Sequence, residues 1–201
     1  MDYRLKHAAG AVAVLAMLTA CFLSSGCSSQ TAIAPLINDL YSSDPAVQRE
    51  AAMALVETGE PAITPLIGVF PSENEGACTW AAVALCRIGE PAIQPLITAL
   101  SAEENTTRLW AADTLACIGD PAIEPLVGTL ASGDANAREV AAIALIKIGR
   151  PAIPELEEMA LFGGVREKQI ALTVIQSIYL TEKLQNRIGS SMENSSFDPS
   201  Q

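Results

Sequence analysis

Apolar residues recur along this chain at helical spacing, and the blocks they form recur in turn every 30 residues. In the block from Pro91 to Leu100, Ile93, Leu96, Ile97 and Leu100 make an i, i+3, i+4, i+7 stripe, which predicts an amphipathic helix. A second block, seen in "AVQREAAMALVETG" and "NAREVAAIALIKIG", aligns Ala51, Ala81, Ala111, Ala141 and Ala171, and also Leu55, Leu85, Leu115, Leu145 and Ile175. Gly59, Gly89, Gly119 and Gly149 fall between the second block and the next copy of the first, 30 residues apart without an insertion. Each period therefore reads as two helices, A and B, joined by a short polar turn. A fixed period of this size means stacked copies of one small unit that bury their apolar sides only against neighbours.

Five units are expected, at about 31–60, 61–90, 91–120, 121–150 and 151–180, the first a degenerate copy beginning at Thr31 ("TAIAPLINDL"). Helix A opens on a proline, which suits a first position with no amide donor to satisfy. Pro65, Pro95 and Pro125 follow four residues later, so an irregular or 3₁₀ first turn is expected there. The glycines are expected to end helix B with a left-handed cap. Residues 181–201 read as a polar helix end, as a capping repeat requires, and from Gly189 as a disordered tail. The fold class is all-α, a solenoid of five two-helix repeats.

The cadence "DPxVRxxAAxALxxIGDPAIxPL" resembles the HEAT repeat, in particular the roughly thirty-residue subtype also found in phycobilisome lyases, and the resemblance covers all five units. It implies a right-handed α-solenoid with B helices on the concave side and A helices outside, a fold used chiefly for protein contacts. It also implies a ladder between units, from an acid before helix B to a base early in it. Asp44, Glu104 and Asp134 hold the acidic place and Arg108, Arg138 and Lys168 the basic one, while Gln48 and Cys78 interrupt it.

The N-terminus is a separate object. Arg4 and Lys6 precede an uncharged apolar stretch from Ala8 to Leu23, too short for a permanent transmembrane helix, that ends in "SSGC". This segment resembles a bacterial lipoprotein signal, which implies removal of residues 1–26 and acylation of Cys27; Cys21, after Leu18-Thr19-Ala20, is the alternative. Several acyl chains on one residue would hold the protein on a bilayer of the cell envelope. Residues 27–30 would be the acylated cysteine and a short linker.

Composition narrows the remaining choices. Half of the residues are apolar but only 4 % are aromatic, so Ala, Leu, Ile and Val must build the core. The formal charge of -11 is dispersed and lacks the clustered Lys and Arg that nucleic acid binding needs. The single histidine, His7, lies in the signal segment, which leaves no metal site, no cofactor site and no Ser-His or Cys-His pair in the mature chain. The same absence argues against deoxyhypusine hydroxylase, an iron enzyme built of HEAT repeats. Neighbouring equivalent helices lie about 8–10 Å apart. Cys78, Cys86 and Cys117 are therefore expected as small buried thiols, with Cys86 and Cys117 the pair that a bridge would use.

Helix B positions outside the buried stripe should face the concave side. They include Met53, Trp80, Val83, Leu109, Trp110, Asp113, Val140 and Ile143, an unusually apolar set for such a surface. Grouped apolar residues around tryptophan mark a contact site. The alternative lays both indoles across neighbouring helices as part of the core. The functional expectation is a non-enzymatic, membrane-tethered scaffold that binds a protein or peptide on this face. Two other readings stand beside it: a lyase or lyase chaperone for bilin, resting on the family resemblance alone, and a purely structural spacer.

Overall fold

A computed structural model of the chain describes residues 29–193. The expected signal segment with Cys21 and Cys27, and the residues from 194 onward, lie outside the described residues. Within them the chain forms ten α-helices in five consecutive pairs. The A helices are α1 (Ser29–Asp39), α3 (Ile63–Ile67), α5 (Ile93–Ala99), α7 (Ile123–Ser132) and α9 (Ile153–Phe162). The B helices are α2 (Pro45–Thr58), α4 (Glu75–Ile88), α6 (Asn105–Ile118), α8 (Ala135–Ile148) and α10 (Val165–Glu193).

The expected irregular entry into helix A is present as a 3₁₀ turn at Glu60–Ala62, Glu90–Ala92, Asp120–Ala122 and Arg150–Ala152. The α-helix proper begins one residue later, so Pro65, Pro95 and Pro125 occupy its third position, where an amide has no partner within the helix and its loss costs little. Gly89 links the two elements at φ 76° and ψ -132°. Its positive φ fits the expectation, but the negative ψ is not that of a left-handed helical cap. The difference follows from the direct passage into the next turn: Gly89 accepts a hydrogen bond from the Ala92 amide at 2.9 Å, and only glycine adopts this backbone state freely.

Three of the B helices have a side-chain cap. The Asp44 carboxylate accepts from the Ala46 amide, Asn74 from Ala77 and Asp134 from Ala137, at 2.8, 3.0 and 2.8 Å, satisfying donors that the first turn leaves open. The core is the continuous stripe read from the sequence. Ala51, Ala81, Ala111, Ala141 and Ala171 are buried, as are Leu55, Leu85, Leu115 and Leu145, and from the A helices Leu66, Leu96, Leu126 and Leu156. Ile175 is only half-buried. Successive B helices pack on one another more extensively than successive A helices do, and theirs is the side that the family resemblance makes concave.

The last pair departs from two expectations. Helix α10 runs 29 residues and passes Gly189 to reach Glu193, where a disordered tail was expected. Its outer face also mixes apolar with polar residues: Leu172, Leu180 and Leu184 are each at least half exposed, beside exposed Lys183, Gln185 and Arg187. Leu172 occupies the place of Ala52 and Ala112, which are buried inside the array, and among the described residues no following unit covers it. Among the described residues, no helix is long and apolar enough to cross a membrane.

Candidate functional site on the concave face

The B-helix face divides by position within the repeat. Met53, Val83, Asp113 and Ile143 are equivalent residues; the first three are exposed and Ile143 is half-buried. Leu109, four residues before Asp113 on α6, is 40 % exposed. Met53, Val83 and Leu109 thus place apolar side chains in water on three consecutive B helices.

Trp80, Trp110 and Val140 share a second position, at the margin between surface and core. Both tryptophans are half-buried and pack on the core, with the Trp110 ring stacked on Phe70 of the preceding unit. Val140 is only 4 % exposed, which removes it from the expected contact surface. At one depth, a long indole reaches the rim while a short branched side chain is covered. The equivalent residue of the first unit, Glu50, is exposed.

Ties between neighbouring B helices cross the same face. Cys86 and Cys117 form a disulfide between α4 and α6, with Cα atoms 5.8 Å apart, in place of the expected thiols. The error lay in equating axis separation with Cα separation: each Cα stands about 2.3 Å off its axis, so residues facing one another across an 8–10 Å gap come within reach of a bridge. One repeat further on, the Lys147 ammonium donates to the Asp113 carboxylate at 2.5 Å. Both groups are about half exposed, so water screens the pair and its contribution to stability is about 0–1 kcal/mol.

The expected ladder of acids and bases takes another form. No ion pair joins the acidic and basic places among the described residues; instead the basic place closes the turn between helix A and helix B of its own unit. Arg108 donates to the Ala102 and Glu103 carbonyls at 2.7 and 2.8 Å, and Arg138 to Gly133 at 2.6 Å. Gln48, which interrupts the sequence pattern, does the same to the Leu40 carbonyl at 2.9 Å. Cys78 fills this place in the second unit, buried, with its thiol 3.5 Å from the Val69 carbonyl. Three kinds of side chain thus serve one position, because each can donate to a carbonyl of the turn. Between units, the acidic place uses a neutral partner: the Ala137 amide and then the Ser101 hydroxyl hold the Asp134 carboxyl below its ordinary range.

No group of three or more His, Cys, Asp or Glu residues is placed to hold a metal ion among the described residues. Two surface depressions lie away from the concave face. One runs between α1 and α3 beside Ile33, Ile37, Tyr41 and Pro65; the other sits where Arg150 meets Glu182.

Among solved structures, the chain is similar to the complex of CpcE and CpcF of phycocyanin lyase from Nostoc sp. PCC7120, at 22 % identity over 73 % of this chain and 99 % of that one, with a TM-score of 0.38. It is also similar to a computationally designed armadillo repeat protein for modular peptide recognition, at 18 % identity over 73 % of this chain and 82 % of that one, with a TM-score of 0.30. No curated protein sequence matches it. The family described as HEAT repeats matches residues 72–146 and 93–172, which together span half of the chain. With its five stacked helix pairs and those matches, the chain belongs to the HEAT-repeat family.

Proposed function

We propose that the protein is a non-enzymatic scaffold, tethered to an envelope membrane through acylated Cys27, that binds a partner protein or peptide on its concave face. The observation that carries the reading is the exposure of Met53, Val83 and Leu109 on three consecutive B helices, flanked by the rims of Trp80 and Trp110. Neighbouring apolar side chains left in water on a rigid wall favour contact with a complementary apolar segment. The Cys86–Cys117 bond supports export, since disulfides persist in oxidising compartments.

A photo-crosslinking amino acid at Val83 or Leu109 tests the binding reading in intact cells. A discrete adduct is expected from these positions and none from Thr64 on the exposed A side; equal adducts from both sides, or none from either, would reject it. The tether is tested separately by mass spectrometry of the mature N-terminus, where an acylated Cys27 is expected and an unmodified start defeats that part of the reading alone.

A further inference from the structure

The link between Cys86 and Cys117 joins the C-terminal turns of α4 and α6, and so connects the second repeat to the third by a bond outside the main chain. Its two ends differ in access: Cys117 is exposed, Cys86 half-buried. The third cysteine on these helices is kept out of reach. Cys78 is fully buried, with its thiol directed at the carbonyls of Val69, Phe70 and Ser72. It also stands eight residues before Cys86 on the same helix, about 12 Å along the axis. With one exposed cysteine and, among the described residues, no other thiol within reach, the disulfide can open and reclose without scrambling.

We propose that Cys86–Cys117 is a thiol–disulfide exchange site, opened by a dithiol that attacks the Cys117 sulfur and closed again by an oxidised dithiol. In the opening direction, a thiolate of the reductant bonds to the Cys117 sulfur as the Cys86–Cys117 bond breaks, and Cys86 leaves as a thiolate that takes a proton from water. The second thiol of the reductant then gives up its proton and attacks its partner sulfur in the mixed disulfide. Cys117 is released and protonated, and the reductant ends as a disulfide, having supplied two electrons. In a linear array each repeat is held only by its neighbours, so loss of this link leaves the second and third repeats joined by side-chain packing alone and makes opening at that junction easier. The site needs no partner on the concave face and stands apart from that reading.

The test uses the full chain in its oxidised form. Dithiothreitol in native buffer, followed by N-ethylmaleimide and peptide mass spectrometry, is expected to label Cys86 and Cys117 while Cys78 stays unlabelled. Amide hydrogen exchange of the reduced protein should rise in α2 and α4 and stay unchanged in α8. A bond that resists the reductant until denaturant is added overturns the proposal, as does labelling of Cys78 together with the other two, or exchange that rises equally along the array. The order of attack is read from single variants: Cys117 in C86S should react with an aromatic disulfide reagent roughly tenfold faster than Cys86 in C117S, as exposure dictates. Equal or reversed rates reject Cys117 as the entry point. If these variants fail to fold, the reduction of the unaltered chain still decides whether the site exists.

Discussion

The Trp110 ring lies on Phe70, with centroids 6.2 Å apart and planes 20° from parallel. Phe70 is fully buried at the end of the second repeat's A segment, and Trp110 reaches back to it from the third repeat. This tryptophan therefore binds two repeats together as well as edging the concave face. Trp110→Ala should lower stability by about 2–3 kcal/mol, near the bottom of the range for large aromatic truncations because the ring is half exposed. Trp110→Phe should recover part of that loss through the retained stacking. Met53→Ala, on the same wall with no such role, should stay within about 0.5 kcal/mol. Urea unfolding of the three variants side by side separates the contributions.

Two glycines should respond in opposite directions to the same substitution. At Gly89 there is room for a Cβ, yet φ is 76°, so Gly89→Ala should destabilise by about 1–3 kcal/mol through backbone strain alone. Gly128 sits inside α7 without a positive φ and also has open space around it, so Gly128→Ala should stabilise by about 0.5–1 kcal/mol. Thermal melts followed by circular dichroism would show a lower midpoint for the first and a higher one for the second.

The disulfide closes a loop across a sequence separation of 31 residues. In the chain-entropy account, replacing both cysteines by serine should cost roughly 3–4 kcal/mol of stability. The loss should appear in chemical denaturation of the C86S/C117S double variant, and reduced unaltered protein should come close to the same midpoint.

Asp134 gives the array an acid sensitivity with a definite sign. Its folded-state pKa lies below the ordinary value because the Ala137 amide and the Ser101 hydroxyl favour the carboxylate. That stabilisation is fully present above the unfolded-state pKa of about 4 and fades as pH falls through the lowered folded value. In Asp134→Asn the side chain still caps α8 but no longer titrates, so the stability gap between it and the unaltered protein should narrow on acidification. Denaturation midpoints measured from neutral pH down to about pH 3 would trace the change.

The period of the chain was legible because every unit repeats the same alanine and leucine places, and Ala51 through Ala171 are buried as that alignment requires. The 3₁₀ entry into helix A was equally readable, since two prolines four residues apart leave the backbone few options. What escaped was lateral and depended on side-chain length. Cys86 meets Cys117 at a separation of 31, and Asp113 meets Lys147 at 34, which are offsets of one and four residues added to the repeat of 30. A search for complementary residues at the repeat length plus a small offset would have found both. Val140 was misjudged because a helical position fixes direction but not depth: the same place exposes part of an indole and covers a valine. The turn-closing role of Gln48, Cys78, Arg108 and Arg138 was hidden by their unlike chemistry, although each can donate a hydrogen bond.

Tyr179 stands where the four preceding units carry their positive-φ glycine, and there the helix continues straight to Glu193 instead of folding back. A side chain at this one locus forecloses the backbone reversal on which every further copy would depend. A single residue thus withholds, at this one junction, the hinge by which each earlier repeat passes into the next.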